Sequence, residues 1–284
     1  MKGLKDDPNF LKLIDLALEE DLREKGDITS KAIISKTSAC TAKIIVKSAG
    51  IIAGIEVADA VFLRIDSDVE FKALLLDGDK VEGGEILAEV TGSTLSVLKG
   101  ERIALNFLSY LSGIATNTKE FVSKIEGTKT KIFDTRKTHP GLRLFEKYAV
   151  RMGGGSNHRS GLFDQVLIKD NHLRAVGSLK TAIESGKEMG VTEIEVEDLS
   201  QLHEALEADP NIIMLDNMDI DTIKEAVSQV GGRVPLEVSG GVSLENVKEL
   251  ALSGVDRISV GSITMAAVPL DIALDILEVG EFGE

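Results

Sequence analysis

The sequence predicts an α/β fold, with a smaller amino-terminal domain leading into a parallel (β/α) barrel, and three observations carry that expectation. From about residue 131 onward, short apolar runs end in a polar residue and an amphipathic stretch follows, which is the rhythm of parallel strands with crossover helices. Ahead of this region the apolar residues alternate in short runs between glycine-containing turns, as in the strands of a separate α+β domain. The polar residues that close the later runs all fall at carboxyl ends of strands, so they converge on the face where barrels build active sites.

Taken in order, Asp7-Pro8 opens a helix, with Leu11, Ile14 and Leu18 at helical spacing behind it, and Gly26-Asp27-Ile28-Thr29-Ser30 stops it. Residues 41–47, 69–76 and 85–90 read as strands, separated by turns such as Asp77-Gly78-Asp79 and Glu82-Gly83-Gly84. Residues 94–125 read as one long helical stretch, with Gly113 as the place for a break. Residues 1–104 are therefore assigned to the smaller domain. The later strands end at Asp134, Lys169, Glu195, Asp216, Ser239 and Gly261, with helices expected over 142–152, 179–189, 199–208, 220–230 and 244–252. These six units fall short of the eight in a closed barrel, and an open doubly wound sheet is the competing topology.

Charge is concentrated in one place. Residues 131–174 hold nine Lys and Arg against four Asp and Glu, a net +5 in a chain whose formal charge is −15, so everything else sums to −20. Three of the four histidines lie in the same segment. Solubility does not require such clustering, and a pocket for a small, multiply charged anion does explain it. A sequence pI near 4.8 argues against nucleic-acid or anionic-membrane partners. The lone Cys40 excludes an internal disulfide and makes a reducing, cytoplasmic compartment the expectation. The start, Met1-Lys-Gly-Leu-Lys-Asp-Asp, has no apolar core of signal-peptide length, and no stretch reaches the roughly 20 apolar residues of a spanning helix.

The last two units place small residues between a strand and a helix. Ser239, Gly240 and Gly241 follow Pro235-Leu-Glu-Val, and Gly261 and Ser262 follow Asp256-Arg-Ile-Ser-Val260. Such loops leave backbone N–H groups free to face a phosphate, although each is also simply a tight turn. In Glu193-Ile-Glu195-Val-Glu197, alternation sends the three carboxylates to one side, where they repel unless a cation joins them. Glu195 and Asp216, at successive strand ends, are the candidates to hold Mg²⁺ or ribose hydroxyls. Arg136, Lys137, His158, Arg159 and Lys169 come from three stretches yet collect at the first strand end, the glycine loop and the second strand end. Forked guanidinium and compact ammonium groups together suit a ligand with several carboxylates as well as a phosphate. Lys147 and Arg151, on the intervening helix, read as a solvated face.

Asp134-Thr-Arg-Lys-Thr-His-Pro-Gly141, Gly153-Gly-Gly-Ser-Asn-His-Arg-Ser-Gly-Leu162, Ile168-Lys-Asp-Asn-His172, Leu215-Asp-Asn217 and Ser239-Gly-Gly241, in that order, resemble the successive motifs of the quinolinate phosphoribosyltransferases. The resemblance extends from Glu20-Asp21 and Gly26-Asp-Ile-Thr29 to Val260-Gly-Ser262. It implies an amino-terminal α/β sandwich domain over residues 1–104, rejoined by a carboxyl-terminal helix over 270–284. It also implies an incomplete, seven-stranded α/β barrel as the catalytic domain over 105–269. By motif position, Thr135, Arg136, Lys137, His158, Arg159 and Lys169 would hold quinolinate and parts of phosphoribosyl diphosphate. Lys137, Lys169, Glu195 and Asp216 would be the catalytic set, with Mg²⁺ and the ribose at Glu195 and Asp216. Ser239, Gly240, Gly241, Val260, Gly261 and Ser262 would bind the 5-phosphate. Arg102 matches an arginine that the family donates across a homodimer interface, and it shares a helix side with Leu98 and Leu105, where a guanidinium needs an anionic partner.

The implied reaction gives nicotinate mononucleotide, diphosphate and carbon dioxide, a step in de novo NAD biosynthesis. Other readings are a phosphoribosyltransferase for another heterocycle, a phosphate-binding barrel isomerase or lyase, and a non-catalytic ligand sensor. Gly78-Asp-Lys-Val-Glu-Gly-Gly-Glu-Ile-Leu87 resembles the turns of lipoyl and biotinyl carriers but lacks their Met-Lys pair. Cys40 reads as a buried apolar thiol rather than a nucleophile.

Overall fold

The structure is a computed structural model that describes residues 4–281. Met1 to Gly3, at the expected leaderless start, and residues 282–284 of the expected final helix lie outside the described residues. The chain divides into two compact units. The first comprises residues 4–117, 139–154 and 266–281, and the second comprises 118–138 and 155–265. This division differs from a cut at residue 104, because the first unit draws on three separate stretches. Among the described residues no helix is long and apolar enough to cross a membrane.

The first unit begins with a 3-10 turn at Leu4–Asp6, then α1 (Phe10–Leu22), α2 (Ile28–Ile33), β1 (Ser38–Val46), β2 (Gly50–Ile51) and α3 (Ile55–Ile65). β3 (Glu70–Ala73), β4 (Lys80–Val81), β5 (Ile86–Ser93) and α4 (Thr94–Lys124) follow. Helix α5 (Arg143–Met152) also belongs here rather than with the parallel strands. In α1 the buried stripe is Phe10, Ile14 and Leu18, while Leu11 faces out. The segment that stops α1 also starts α2: the Asp27 carboxylate accepts from Ser30 N at 3.0 Å, capping the new helix. Every second residue of β1 from Ser38 to Val46 is buried, as a half-covered strand requires. Phe145 of α5 is fully buried and meets Phe10 and Phe107 edge to face, at 5.8 and 5.3 Å between ring centres.

Two expectations for this unit change. Helix α4 runs unbroken for 31 residues. Gly113 does not interrupt it; instead it admits another stretch of backbone, since a Cβ there would lie 2.3 Å from the Val268 carbonyl oxygen. The carboxyl-terminal stretch is a strand, not a helix, and β1 supplies the reason. Its edge pairs antiparallel with residues 272–281 from Ser38↔Glu281 to Val46↔Ile272, completing a sheet of four strands.

The second unit is a parallel sheet with helices between successive strands. It holds β6 (Lys131–Phe133), β7 (Val166–Ile168), α6 (Asp170–Val176), α7 (Leu179–Met189), β8 (Thr192–Val196) and α8 (Leu199–Glu207). After these come β9 (Ile212–Asp216), α9 (Ile220–Val230), β10 (Leu236–Ser239), α10 (Val247–Leu252), β11 (Arg257–Ser259) and α11 (Ser262–Met265). Strand β12 (Ile272–Glu281) then closes the first unit's sheet in the order β12-β1-β5-β3. The parallel order is β6-β11-β10-β9-β8-β7. The sheet has six strands where seven were expected, and beyond β6 an isolated parallel bridge joins Phe133 to Ser156. β8 is buried along its whole length, as covered parallel strands are. Side chains of Ser178, Asp198 and Asp219 cap α7, α8 and α9, which fixes where each helix leaves its loop.

Candidate active site

The carboxyl ends of the parallel strands surround a cavity of about 490 Å³. Its wall is assembled from short loops, each held by a buried polar contact. Asp134 follows β6 and is fully buried; its carboxylate accepts from Asn157 Nδ2 at 2.6 Å and from His158 N at 2.8 Å, tying the glycine loop to the first strand. The Thr135 hydroxyl accepts from Lys137 N at 2.9 Å, and Thr264 Oγ1 donates to the Lys137 carbonyl at 2.7 Å. Thr135, Arg136 and Lys137 line the cavity from this turn.

His158 and Arg159 line it from the glycine loop, both buried. Nδ1 of His158 accepts from Arg159 N at 2.7 Å, which favours the tautomer with its proton on Nε2. That nitrogen lies 3.0 Å from Glu193 Oε2 and 3.4 Å from Glu237 Oε1. Burial opposes a charge on the ring, but Glu193 and Glu237 outweigh it and raise its pKa to about 9. Glu193 is itself pushed up, chiefly by burial. His158, Glu193 and Glu237 could by composition ligate a metal. Their arrangement is instead that of an imidazole nitrogen within ion-pair reach of two carboxylates, and Glu237 is also engaged elsewhere, since Ser259 Oγ donates to Glu237 Oε1 and Arg257 lies 4.0 Å from Glu237.

Arg159 Nη1 donates to the Gln165 carbonyl at 3.1 Å, while its buried Nε has no hydrogen-bond partner. Burial and then the neighbouring Arg136 charge lower the Arg159 pKa. Two guanidinium groups are thus held close enough to repel, with a donor still unsatisfied, an arrangement completed by an anion.

Lys169, after β7, pairs with Glu195, near the end of β8, and both line the cavity. Lys169 N donates to His172 Nδ1 at 2.9 Å, closing a capping box on α6. Asp216 ends β9 and accepts from Asn217 Nδ2 at 2.7 Å. Ser239, Gly240 and Gly241 complete the wall. Gly240, at φ +92°, passes so near Asn217 that a Cβ would come within 2.1 Å of its Oδ1. Only glycine fits that turn.

Of the residues expected from sequence, the cavity brings together Thr135, Arg136, Lys137, His158, Arg159, Lys169, Glu195, Asp216, Ser239, Gly240 and Gly241. Val260, Gly261 and Ser262 are not part of its wall. Val260 is core, and Gly261 lies against the Lys137 side chain. Arg102 is exposed on α4 and borders a concavity of the first unit with Glu20, Asp21, Asn106 and Tyr110. Glu197 faces solvent, so three like-facing carboxylates do not form a cluster. Leu167, Met214, Asn217 and Ser259 line the cavity without having been singled out. Asn217 carried a usable signal, a polar residue beside a strand-end aspartate, and it adopts φ +53°, which Asn tolerates better than most residues.

Comparison with known proteins meets this geometry at both units. Residues 27–112 match the family model described as quinolinate phosphoribosyl transferase, N-terminal domain, and residues 114–275 match the C-terminal domain of the same family. The chain belongs to the quinolinate phosphoribosyl transferase family. Within related sequences, it is 42% identical over 269 residues to the probable nicotinate-nucleotide pyrophosphorylase [carboxylating] of Bacillus subtilis, covering 93% of this chain and 92% of that protein. The nicotinate-nucleotide pyrophosphorylase [carboxylating] of Mycobacterium leprae is 42% identical over 268 residues, covering 92% and 94%. Among solved structures, the nicotinate-nucleotide pyrophosphorylase from Francisella tularensis superposes with TM-score 0.92 at 39% identity, over 98% of this chain and all of that one.

Proposed function

We propose that the cavity receives quinolinate and phosphoribosyl diphosphate, and that this chain is the phosphoribosyltransferase of its family, joining the two with loss of carbon dioxide. Family membership supports the reaction, which yields nicotinate mononucleotide and diphosphate. The observation that carries the substrate assignment is Arg159: it is buried, its Nε lacks an acceptor, and Arg136 repels it. A pyridine dicarboxylate supplies the acceptor that Arg159 Nε lacks, with Arg136, Lys137 and the His158 ring around it. An acid with one carboxylate leaves part of this cation set unanswered.

Breaking the bond between the anomeric carbon and diphosphate builds positive charge on the sugar and negative charge on the leaving oxygens. The carboxylates of Glu195 and Asp216 address the ribose side, and the ammonium groups of Lys137 and Lys169 the leaving-group side. The Ser239–Gly241 turn presents backbone to the 5-phosphate, where side chains would obstruct it. The pyridine nitrogen takes the anomeric carbon. The resulting pyridinium accepts the electron pair released as the adjacent carboxylate departs as carbon dioxide, and the ring carbon then takes a proton. No nucleophile from the protein is needed, and Cys40 is buried in the first unit.

The hard carboxylate oxygens of Asp216 and of Glu195, whose Oε2 is engaged by Lys169, are a donor set suited to Mg²⁺. When bound, Mg²⁺ supplies positive charge against the diphosphate oxygens. A homodimer is part of the same reading, supported by the outward-facing Arg102 guanidinium, and so is a cytoplasmic location, supported by the single buried thiol.

Turnover of quinolinate with phosphoribosyl diphosphate and Mg²⁺, followed by nicotinate mononucleotide formation, tests the assignment. Quinolinate is expected to exceed nicotinate in kcat/KM by a factor of about 100 or more. Equal efficiency with nicotinate would remove the dicarboxylate reading.

A further inference from the structure

Glu193 lies behind the cavity wall, with no exposed surface, yet two of the wall's cations trace back to it. One oxygen, Oε2, faces His158 Nε2 at 3.0 Å and accepts from Gln165 Nε2 at 2.9 Å. The second contact reaches further, because the backbone carbonyl of Gln165 takes Arg159 Nη1 at 3.1 Å. Two branches therefore leave one buried carboxylate oxygen. The first ends on the imidazole, and the second, through a single residue, on the guanidinium. Glu237 Oε1 faces the same ring nitrogen at 3.4 Å and accepts from Ser259 Oγ.

We propose that Glu193 is a positioning residue that fixes His158 and Arg159 together in the orientation that receives a dicarboxylate; this rests on the functional reading above. His158 and Arg159 are consecutive, on a loop whose glycines would otherwise leave their side chains many orientations. Main-chain contacts hold part of this loop, with Asp134 accepting from His158 N and His158 Nδ1 from Arg159 N. Glu193 adds a contact on the Nε2 side of the ring and, through Gln165, on the guanidinium. A carboxylate is suited to the task, since one oxygen can face the imidazole at ion-pair distance while it accepts from Gln165 Nε2. Its neighbour Glu195, two residues along the same strand, contacts Lys169 instead. Glu193 thus acts on the cations at His158 and Arg159, and Glu195 on the cation after β7. Misplacing a binding group by about 1 Å costs up to about 100-fold, so slack in this support is read directly in substrate affinity.

The test compares Glu193→Leu, which removes both acceptors, with Glu193→Gln, which keeps one oxygen where Oε2 lies. In Glu193→Leu the KM for quinolinate rises by about 10-fold or more, while the KM for phosphoribosyl diphosphate stays within about twofold. Glu193→Gln brings the quinolinate KM back to within about threefold of wild type. Gln165→Leu cuts only the arginine branch. It gives a smaller selective rise, and it decides the matter should Glu193→Leu fail to fold. An equal rise in both KM values, or an unchanged quinolinate KM in the folded variants, overturns the role of Glu193. Wild-type protein that cannot turn over quinolinate overturns the functional reading, and the role of Glu193 with it.

Discussion

Lys169 and Glu195 form an ion pair across the carboxyl ends of two adjacent parallel strands, β7 and β8. The lysine side chain is 43% exposed and the glutamate 8%, so the pair stands at the boundary between the strand layer and the open cavity. Lys169→Ala is expected to lower quinolinate turnover by about 100-fold or more. Stability changes little, because a partly solvated pair contributes no more than about 1 kcal/mol, which moves the melting temperature by about 4 °C at most. Kinetics and thermal melts on the same preparation check both halves, and near-normal turnover would remove Lys169 from the mechanism.

The proposed Mg²⁺ role of Glu195 and Asp216 is tested by divalent-ion dependence. Turnover vanishes in excess chelator and returns when Mg²⁺ is restored, and Asp216→Asn raises the Mg²⁺ concentration needed for half-maximal rate. Full activity in chelator would rule out this role.

Arg102 leads to a complementation experiment. If the proposed homodimer shares its sites, Arg102→Ala and Lys169→Ala variants each carry two damaged sites, whereas a mixed dimer has one site with both defects and one with neither. Equal mixing with random pairing restores about one quarter of wild-type activity. Two affinity tags, one per variant, verify that subunits have exchanged. Inactive mixed dimers would show that Arg102 works within its own subunit.

Gly113→Ala opposes two effects of known sign. Helix propensity favours alanine by about 1 kcal/mol. The new Cβ, however, would sit 2.3 Å from the Val268 carbonyl oxygen, and forcing that backbone away costs about 1–3 kcal/mol or more. The close approach wins, and the melting temperature falls. A melting temperature equal to or above that of wild type would mean that the segment between α11 and β12 yields freely.

The strand ends Asp134, Lys169, Glu195 and Asp216 could be read from sequence because buried parallel strands are apolar and their polar terminators stand out. Glu193 and Glu237 could not be assigned partners. Each interrupts an apolar strand, and the imidazole they share arrives from a distant loop. Strand β12 was missed for another reason. It is an edge strand with one buried residue, Ile272, at its start, so its composition carries no alternation. Arg102 shares its helix side with Leu98 and Leu105 yet is exposed, as the charged end of a long side chain tends to be.

Strand β12 also sets an order of events during synthesis. Its partner β1 leaves the ribosome more than two hundred residues earlier, and in that interval one edge of β1 presents unpaired amide and carbonyl groups. The parallel-strand unit, threaded between the two, has time to form while its neighbour's sheet is still incomplete. Nascent chains halted before residue 272 should therefore be the species most dependent on chaperones, and release of the last ten-residue strand should end that dependence.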